Sequence, residues 1–281
     1  MIPAPPLEAF ARIVEAALAE DLGQRGDITT RAVVPAGTPM TASIRSRSAG
    51  RVAGVDVAQL VLSRLPEAAT AKVVAADGSE VSAGDTVAEL AGAASTLLTG
   101  ERTILNLMGR LSGIATATAA VVRAVEGTGA AIKDTRKTTP GLRVLERYAV
   151  AVGGGVNHRS GLYDAVLIKD NHIGIAGSIT TAVERARAAL GAEATIQVEV
   201  ETLAELEEAL RARVGAVLLD NMQPDPLRCA VALVAGQCHT EASGGITIAN
   251  VREIAETGVD SISLGWLTHS AKSLDLGLDV R

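Results

Sequence analysis

The chain has 281 residues, enough for one large domain or two ordinary ones, and its 48% hydrophobic and 21% charged residues are typical of a globular protein and exclude a disordered one. A formal charge of −6 and a total of four aromatic residues argue against nucleic-acid binding, which relies on basic surfaces and on base stacking. The two cysteines are too few for a disulfide framework, and no window holds the roughly 18 uninterrupted apolar residues of a membrane helix, so we expect a cytoplasmic protein that binds no membrane.

The first hundred residues combine helical and strand-forming patterns. Residues 7–19 place apolar side chains at helical spacing, and Gly23 follows as a helix stop. Residues 77–90 predict a hairpin that turns at 83–85, and because this segment has no lysine we exclude a biotinyl or lipoyl carrier role. The other predicted elements are strands at 42–47, 51–55 and 71–75 and a helix at 57–65. The region is therefore expected to be α+β.

The rest of the chain alternates between strands and helices. A long helix is predicted at 97–125, with small residues that let another backbone pack closely, namely Gly109, Ser112, Gly113 and Ala115. Six candidate strands follow, each succeeded by an amphipathic helix: 130–134, 165–169, 195–200, 216–220, 239–243 and 261–264. This alternation predicts a parallel sheet, either open or closed into a barrel. Because the glycine fingerprint of the dinucleotide-binding fold is absent, we favour a barrel, and a barrel of fewer than eight strands fits the pattern as well.

Charged residues stand at the ends of four consecutive strands of this predicted sheet. They are Arg136 and Lys137, then Lys169, Glu199 and Asp220. In both architectures the active site lies at the carboxyl ends of the strands, so these residues are candidate site residues. The last two strands run into glycines just before a helix, where free backbone N–H groups bind phosphate; the candidates there are Ser243, Gly244 and Gly265.

Positive charge is concentrated in residues 133–169. This stretch carries seven basic and three acidic side chains within a chain that is acidic overall. Such a cationic island predicts a pocket for a small, highly anionic ligand. The alternative is a set of solvated helix faces, which suits Arg143 and Arg147 better than the strand-end residues. His158 and Arg159 are expected on a loop at the same site, although the glycine run before them by itself predicts only a helix cap and a turn.

Glu199 and Asp220 end neighbouring strands and are expected to lie close together. Two carboxylates beside a phosphate site suit Mg²⁺ that also contacts substrate oxygens. The same pair could serve as the general acid and base of a glycosidase. The cationic island favours the metal and the phosphates.

Taken together, these motifs resemble those of the quinolinate phosphoribosyltransferase family. The resemblance covers nearly the whole chain in the family's order. The motifs are EDLGQRGDITT (20–30), ERTILNLMGRLSGIAT (101–116), DTRKTTPGLR (134–143), YAVAVGGGVNHRSGLYDAVLIKDNH (148–172), VEVET (198–202), LLDNM (218–222), EASGGI (241–246) and TGVDSISLGWLTHS (257–270).

The resemblance implies an α/β protein of two domains. They are an N-terminal α+β sandwich at residues 1–104, joined by 271–281, and an incomplete, TIM-like α/β barrel at 105–270. A head-to-tail homodimer is implied, in which the partner's N-terminal domain closes each active site. The implied reaction joins quinolinate to 5-phosphoribosyl-1-pyrophosphate, with Mg²⁺ as cofactor, and yields nicotinate mononucleotide, pyrophosphate and carbon dioxide for NAD synthesis.

The resemblance also assigns roles to individual residues. The cationic pocket for the quinolinate carboxylates is implied to consist of Arg136, Lys137, His158, Arg159 and Lys169, with Arg102 of the partner subunit. Glu199 and Asp220 are implied to face the ribose hydroxyls and the metal, and Ser243, Gly244 and Gly265 match the phosphate-binding loops. The expected catalytic residues are Lys137, Lys169, Glu199 and Asp220.

Three alternative functions remain open from the sequence. A related transferase that uses nicotinate, or a molybdenum-associated homologue, shares these motifs, but nicotinate has one carboxylate and needs fewer cations. A Schiff-base aldolase is the second alternative, because Lys169 ends a barrel strand. The third is a sensor that binds the phosphoribosyl donor without turnover.

Overall fold

The computed structural model describes residues 7–191 and 193–280 of the chain. Its strands are β1 (Pro39–Ser46), β2 (Gly50–Arg51), β3 (Ala69–Val73), β4 (Glu80–Val81), β5 (Thr86–Ala93), β6 (Ala131–Lys133), β7 (Val166–Ile168), β8 (Ile196–Val200), β9 (Ala216–Asp220), β10 (His239–Ser243), β11 (Ser261–Ser263) and β12 (Leu276–Val280). Its helices are α1 (Leu7–Leu22), α2 (Ile28–Val33), α3 (Val57–Leu62), α4 (Ala94–Ala124), α5 (Arg143–Val152), α6 (Asp170–Ala176), α7 (Ile179–Leu190), α8 (Leu203–Arg211), α9 (Pro224–Val234), α10 (Val251–Ala255) and α11 (Trp266–His269).

The described residues separate into two compact units. The first contains the residues up to Ala119, then Thr138–Gly154 and the chain from Trp266 onward. The second contains Ala120–Lys137 and Gly155–Gly265. This partition differs from the predicted domains 1–104 with 271–281 and 105–270, because the chain returns to the first unit for α5 before it completes the second.

A four-stranded antiparallel sheet with the order β12-β1-β5-β3 organises the first unit. Strand β12, from the end of the chain, pairs with one edge of β1, and β5 pairs with the other. Ile44 and Leu90 are buried and belong to one hydrophobic core with Val14 of α1 and Val61 of α3. This combination of helices and antiparallel strands confirms the α+β character predicted for the N-terminal region.

The predicted hairpin at 77–90 is wrong, although its turn exists. Asp85 Oδ2 accepts the Ser82 N–H at 2.7 Å and closes the turn. Strand β4, however, pairs with β2, where Val81 lies opposite Gly50, and β5 pairs with β1 and β3. Because strands from elsewhere in the chain occupy both edges of β5, β4 cannot pair with it. Nearness in sequence therefore did not decide the strand partner.

Helix α4 is closely approached by a later segment of the chain, as its small residues predicted. A Cβ atom on Gly113 would overlap the Lys272 carbonyl oxygen and lie 2.8 Å from Ser273 Cα. By length and composition α4 could cross a membrane, since its most apolar stretch has a mean hydropathy of 1.3. In the protein, 67% of that stretch is buried, as expected for a core helix.

We expect Gly113→Ala to lower the free energy of unfolding by about 1 to 3 kcal/mol, because the added methyl group must displace a neighbouring backbone segment. Gly100→Ala is the matched control in the same helix, since its Cβ would meet only side-chain atoms, the nearest 3.2 Å away on Val61. Urea unfolding of both variants measures the effect. Equal stability of the two variants would contradict the close approach of the two segments.

A six-stranded parallel sheet with the order β6-β11-β10-β9-β8-β7 organises the second unit. From β7 to β11, strands that follow one another in sequence lie side by side, and β11 also pairs with β6, as in a barrel. Among the described residues no pairing joins β6 to β7. The predicted α/β barrel that lacks full closure is therefore confirmed.

Strand β8 of this sheet alternates between an apolar face and a polar face. In β8, Ile196, Val198 and Val200 are buried, while Gln197 and Glu199 between them are partly exposed. Successive side chains of a strand point to opposite faces, so the two polar residues share one face. That polar face ends in charged residues, which places a site at the carboxyl ends of the strands.

Candidate active site

A cavity of about 360 Å³ lies at the carboxyl ends of the parallel strands, within the second unit. We call it the mouth cavity. Its lining residues are Thr135, Arg136, Lys137, His158, Arg159, Leu167, Lys169, Glu199, Leu218, Asp220, Glu241, Ser243 and Ser263. Eight of the predicted site residues are in this set, so the fold gathers in one cavity side chains that are more than a hundred residues apart in sequence.

Strand register explains why these residues meet. Asp220, the last residue of β9, lies opposite Ser243, the last residue of β10. Glu199 of β8 lies opposite Leu218, which is two residues before Asp220 and therefore shares its face of the sheet. The ends of neighbouring parallel strands thus present their side chains to the same cavity.

Lys169 and Glu199 form an ion pair between Nζ and Oε2. The Glu199 side chain is 13% exposed and that of Lys169 is 44% exposed. The ammonium group is therefore positioned by a carboxylate of the protein while part of it remains open to an incoming ligand.

Two guanidinium groups lie near each other at the cavity, those of Arg136 and Arg159. Burial lowers the pKa of Arg159, the charge of Arg136 lowers it further, and Asp164 acts in the opposite direction. Mutual repulsion between like charges is relieved when an anion binds beside them. The pair therefore favours a negatively charged ligand.

The loop that carries Arg159 is closed by a carboxylate. Asp164 accepts the backbone N–H groups of Ser160 at 2.5 Å and Gly161 at 3.0 Å. These bonds lower the pKa of Asp164 to about 2, so it is ionised at neutral pH. Arg159 Nη1 in turn donates to the Ala165 carbonyl at 3.1 Å. The loop thus fixes the backbone on both sides of the cationic side chain.

Glu241 lines the cavity but is fully buried and was not predicted as a site residue. Its Oε2 accepts from Lys133 Nζ at 2.9 Å and from Gln197 Nε2 at 3.3 Å, and its Oε1 lies 3.3 Å from His158 Nε2. Burial by itself raises the pKa of Glu241, but its interactions with His158, followed by those with Lys133, outweigh burial and bring this pKa to about 2. Glu241 is therefore a buried carboxylate anion.

The end of β10 requires glycine for a local reason. Gly244 has φ +90°, and a Cβ atom there would overlap the Asn221 side-chain amide and lie 2.8 Å from the Asn221 backbone nitrogen. Asn221 itself donates its N–H to the Ser243 carbonyl at 2.8 Å and its amide to Asp220 Oδ2 at 2.6 Å. The two strand ends are thereby locked together behind the cavity.

The pair Glu199 and Asp220 offers carboxylate oxygens, the ligands that Mg²⁺ prefers. Within residues 7–191 and 193–280, no group of three or more His, Cys, Asp or Glu side chains could hold a metal ion. Mg²⁺ usually keeps several waters and binds through one or two carboxylates plus substrate phosphates. The residues present therefore fit a metal that is held jointly with an anionic substrate.

Three predicted site residues are not among the described residues that line the mouth cavity. Gly244 directly follows Ser243 at the end of β10, and Gly265 lies between the end of β11 and the first residue of α11. Arg102 lies on α4 in the first unit, where its side chain is exposed. Its predicted role requires a second subunit and stays a prediction.

Sequence reasoning missed Thr135, Leu167, Leu218, Glu241 and Ser263. Leu167 and Leu218 stand two residues before the charged ends of their strands, so the period of two in a strand was a usable signal for them. Glu241 belongs to the EASGGI motif, but only its neighbours Ser243 and Gly244 were selected as phosphate-binding candidates. Its position two residues before Ser243 carried the same signal.

Comparisons with known proteins identify relatives along the whole chain. The model of the quinolinate phosphoribosyl transferase N-terminal domain matches residues 27–112, and that of the C-terminal domain matches 114–279. The chain is 47% identical over 278 residues to the nicotinate-nucleotide pyrophosphorylase (carboxylating) of Mycobacterium leprae, covering 97% of this chain and 98% of that protein. It is 46% identical over 261 residues to the probable enzyme of the same name from Bacillus subtilis, covering 93% of this chain and 90% of that protein. The solved structure of nicotinate-nucleotide pyrophosphorylase from Francisella tularensis superposes with a TM-score of 0.94 at 38% identity, covering 100% of this chain and 99% of that one.

Proposed function

The chain belongs to the quinolinate phosphoribosyl transferase family, and on this premise we propose that it transfers a phosphoribosyl group to quinolinate. It joins quinolinate to 5-phosphoribosyl-1-pyrophosphate, releases pyrophosphate and carbon dioxide, and forms nicotinate mononucleotide for NAD biosynthesis. The observation that supports this function best is the mouth cavity, where four cationic side chains meet the carboxylates of Glu199, Asp220 and Glu241. The cationic side chains are Arg136, Lys137, Arg159 and Lys169.

The cations hold the acceptor. Quinolinate carries two adjacent carboxylates, and arginine forks and lysine ammonium groups are the side chains that bind carboxylates most strongly. The repulsion between Arg136 and Arg159 supports this assignment, because one substrate carboxylate between them relieves it. Lys169 contributes a cation already positioned by Glu199, and the ring of His158 forms part of the wall.

The carboxylates and the glycine loops hold the phosphoribosyl donor. Glu199 and Asp220 face the ribose hydroxyls and the Mg²⁺ ion, which when bound neutralises charge on the pyrophosphate group. Backbone N–H groups after β10 and β11, at Gly244 and Gly265, bind the 5-phosphate together with Ser243. This division gives the acceptor the basic side of the cavity and the donor the acidic side.

The reaction needs positioning more than it needs a nucleophile. Loss of pyrophosphate from the ribose passes through an oxocarbenium-like state, so a well-oriented pyridine nitrogen and fixed charges supply most of the rate. Once the nitrogen carries the ribose it is cationic. Its charge stabilises the electron pair left on the adjacent carbon when the 2-carboxylate departs as carbon dioxide, and a proton from water then forms the C–H bond at that carbon. The cations hold the remaining 3-carboxylate during this step.

The active form is a homodimer in which the partner subunit's Arg102 reaches the mouth cavity. Arg102 is exposed on α4 of the first unit, and the described residues that line the cavity belong to the second unit, which supports delivery of this residue from another chain. We place the enzyme in the cytoplasm, with no nucleic-acid or membrane partner, in keeping with its net charge of −6.

The alternative functions fit the cavity less well. A nicotinate-specific transferase has one substrate carboxylate for four cations. A Schiff-base aldolase needs a lysine amine that is available to a carbonyl group, whereas the Lys169 side chain is held in an ion pair with Glu199. A non-catalytic sensor of the donor has no need for the cations that face the acceptor. Quinolinate turnover therefore remains the best-supported function.

We expect Asp220→Asn to lower kcat/KM for 5-phosphoribosyl-1-pyrophosphate at least about tenfold and to raise the Mg²⁺ concentration needed for half-maximal rate, because the variant loses an anionic oxygen ligand. The quinolinate dissociation constant, measured by calorimetry without donor, should change less than about twofold. Asp225→Asn, at an aspartate whose side chain is 92% exposed on the following helix, is the matched control. A loss confined to quinolinate affinity would contradict the division of the cavity.

A further inference from the structure

A cluster of polar side chains surrounds the buried Glu241 carboxylate in the wall of the mouth cavity. Its members are Lys133 on β6, Gln197 on β8 and Glu241 on β10, and His158 adjoins it from the loop above. Barrel interiors of this class are usually filled by branched apolar side chains, so a charged cluster at this depth needs a reason. We propose that Glu241 is a positioning residue that fixes His158 as a neutral imidazole with its proton on Nε2, and that His158 in turn fixes Arg159 for acceptor binding.

The ring nitrogens of His158 have different partners. The backbone N–H of Arg159 donates to His158 Nδ1 at 2.7 Å. A nitrogen that accepts a hydrogen bond carries no proton, so the single proton of the neutral ring is on Nε2. Nε2 faces Glu241 Oε1 at 3.3 Å. A carboxylate is acceptor-only, and the geometry thus selects one tautomer.

The two oxygens of the Glu241 carboxylate have different partners. Glu241 has no exposed surface, and a buried carboxylate needs a cation and hydrogen-bond donors. Lys133 supplies the cation at 2.9 Å, and Gln197 supplies a further donor on the same oxygen. The second oxygen is left for the Nε2–H of His158. If the ring were protonated on both nitrogens, its Nδ1–H would face the Arg159 N–H, so that two hydrogen-bond donors would oppose each other.

His158 connects Glu241 to the acceptor site by positioning Arg159. Its own backbone N–H donates to Asp134 Oδ1 at 2.7 Å, and Asp134 is fully buried. The backbone of His158 is therefore fixed as well as the tautomer of its ring, and the ring holds the backbone of Arg159 through Nδ1. On the proposed function, to which this inference is tied, the sequence of contacts from Glu241 to His158 to Arg159 sets the position of one guanidinium that binds quinolinate.

The tautomer is tested by NMR of the full chain labelled with ¹⁵N-histidine, with His158 assigned by comparison with His158→Gln. Long-range ¹H–¹⁵N correlations distinguish Nε2–H, Nδ1–H and imidazolium forms. We expect the Nε2–H form for His158 at neutral pH. An imidazolium or an Nδ1–H signal in the wild-type protein would overturn the proposal without any variant of Glu241.

The variant Glu241→Gln provides a second test of the proposal. An amide oxygen turned toward Lys133 and Gln197 leaves an NH₂ group facing His158 Nε2, so the ring must move its proton to Nδ1 and release the Arg159 N–H. We expect an Nδ1–H signal and a quinolinate dissociation constant raised at least about tenfold, with donor affinity changed less than about twofold. Glu253→Gln, at an exposed glutamate on α10, is the matched control. An unchanged tautomer, or equal losses for donor and acceptor, would overturn the positioning role.

Replacement of the histidine separates positioning from charge. Asparagine can still present an oxygen to the Arg159 N–H, whereas alanine cannot, and neither carries charge. We expect His158→Asn to lose less quinolinate affinity than His158→Ala; equal losses would contradict the relay. If the wild-type protein binds no quinolinate, the proposed function fails, while the NMR result still decides the tautomer on its own.

Discussion

Arg136→Ala and Lys169→Ala should each abolish quinolinate turnover while the protein stays folded. Removing one member of a charge pair at a largely desolvated site costs about 2 to 5 kcal/mol, which corresponds to about 30-fold to 4,000-fold in kcat/KM. For Lys169 the loss has two causes: the substrate loses a cation, and Glu199, which is only 13% exposed, loses its ion-pair partner. Steady-state kinetics with quinolinate as the varied substrate measures the effect, and the unfolding temperature reports the fold.

The matched control for both variants is Arg185→Ala, at an exposed arginine on α7 outside the cavity. It should leave kcat/KM unchanged, since exposed ion pairs contribute at most about 1 kcal/mol to stability and none to this site. Wild-type turnover in Arg136→Ala or in Lys169→Ala would contradict the assignment of the cationic pocket.

An Arg102→Ala chain and a Lys169→Ala chain, each inactive alone, should regain activity when they are mixed and allowed to exchange subunits. If the partner subunit's Arg102 completes each active site, a mixed dimer contains one site with both defects and one site with neither. With equal amounts and random exchange, half of the dimers are mixed, so activity should approach about a quarter of that of the wild type.

The control for this experiment is a mixture of Arg136→Ala and Lys169→Ala chains. Both of these residues line the same cavity of one subunit, so no mixed dimer contains an intact site and no activity should return. Native mass spectrometry verifies that mixed dimers have formed. Mixed Arg102→Ala and Lys169→Ala dimers that stay inactive would contradict the shared active site.

The period of two in the strands is what made much of the site predictable. Glu199, Asp220 and Ser243 stand at or next to the carboxyl ends of β8, β9 and β10, and a parallel sheet brings such ends together wherever the helices run. Predicting that these strand ends meet required no knowledge of individual long-range contacts, because the parallel sheet itself brings the ends together.

Features that depend on non-local partners were not predictable in the same way. The β4 segment took β2 as its partner because other strands had occupied β5, a competition that a local pattern does not describe. Lys133 was assigned no role, since it becomes informative only when the barrel places its Nζ 2.9 Å from Glu241 Oε2. The family resemblance supplied Arg102, which no pattern within its own subunit marks as a site residue.

The most direct test of the proposed function is turnover of quinolinate labelled with ¹³C in its 2-carboxylate, in the presence of 5-phosphoribosyl-1-pyrophosphate and Mg²⁺, beside the same reaction with nicotinate. We expect labelled carbon dioxide, pyrophosphate and nicotinate mononucleotide in equal amounts from quinolinate. With nicotinate we expect a kcat/KM at least about tenfold lower, because its single carboxylate leaves part of the cationic pocket unfilled. Release of pyrophosphate with nicotinate at an equal or higher rate, or binding of the donor without any labelled carbon dioxide, would contradict it.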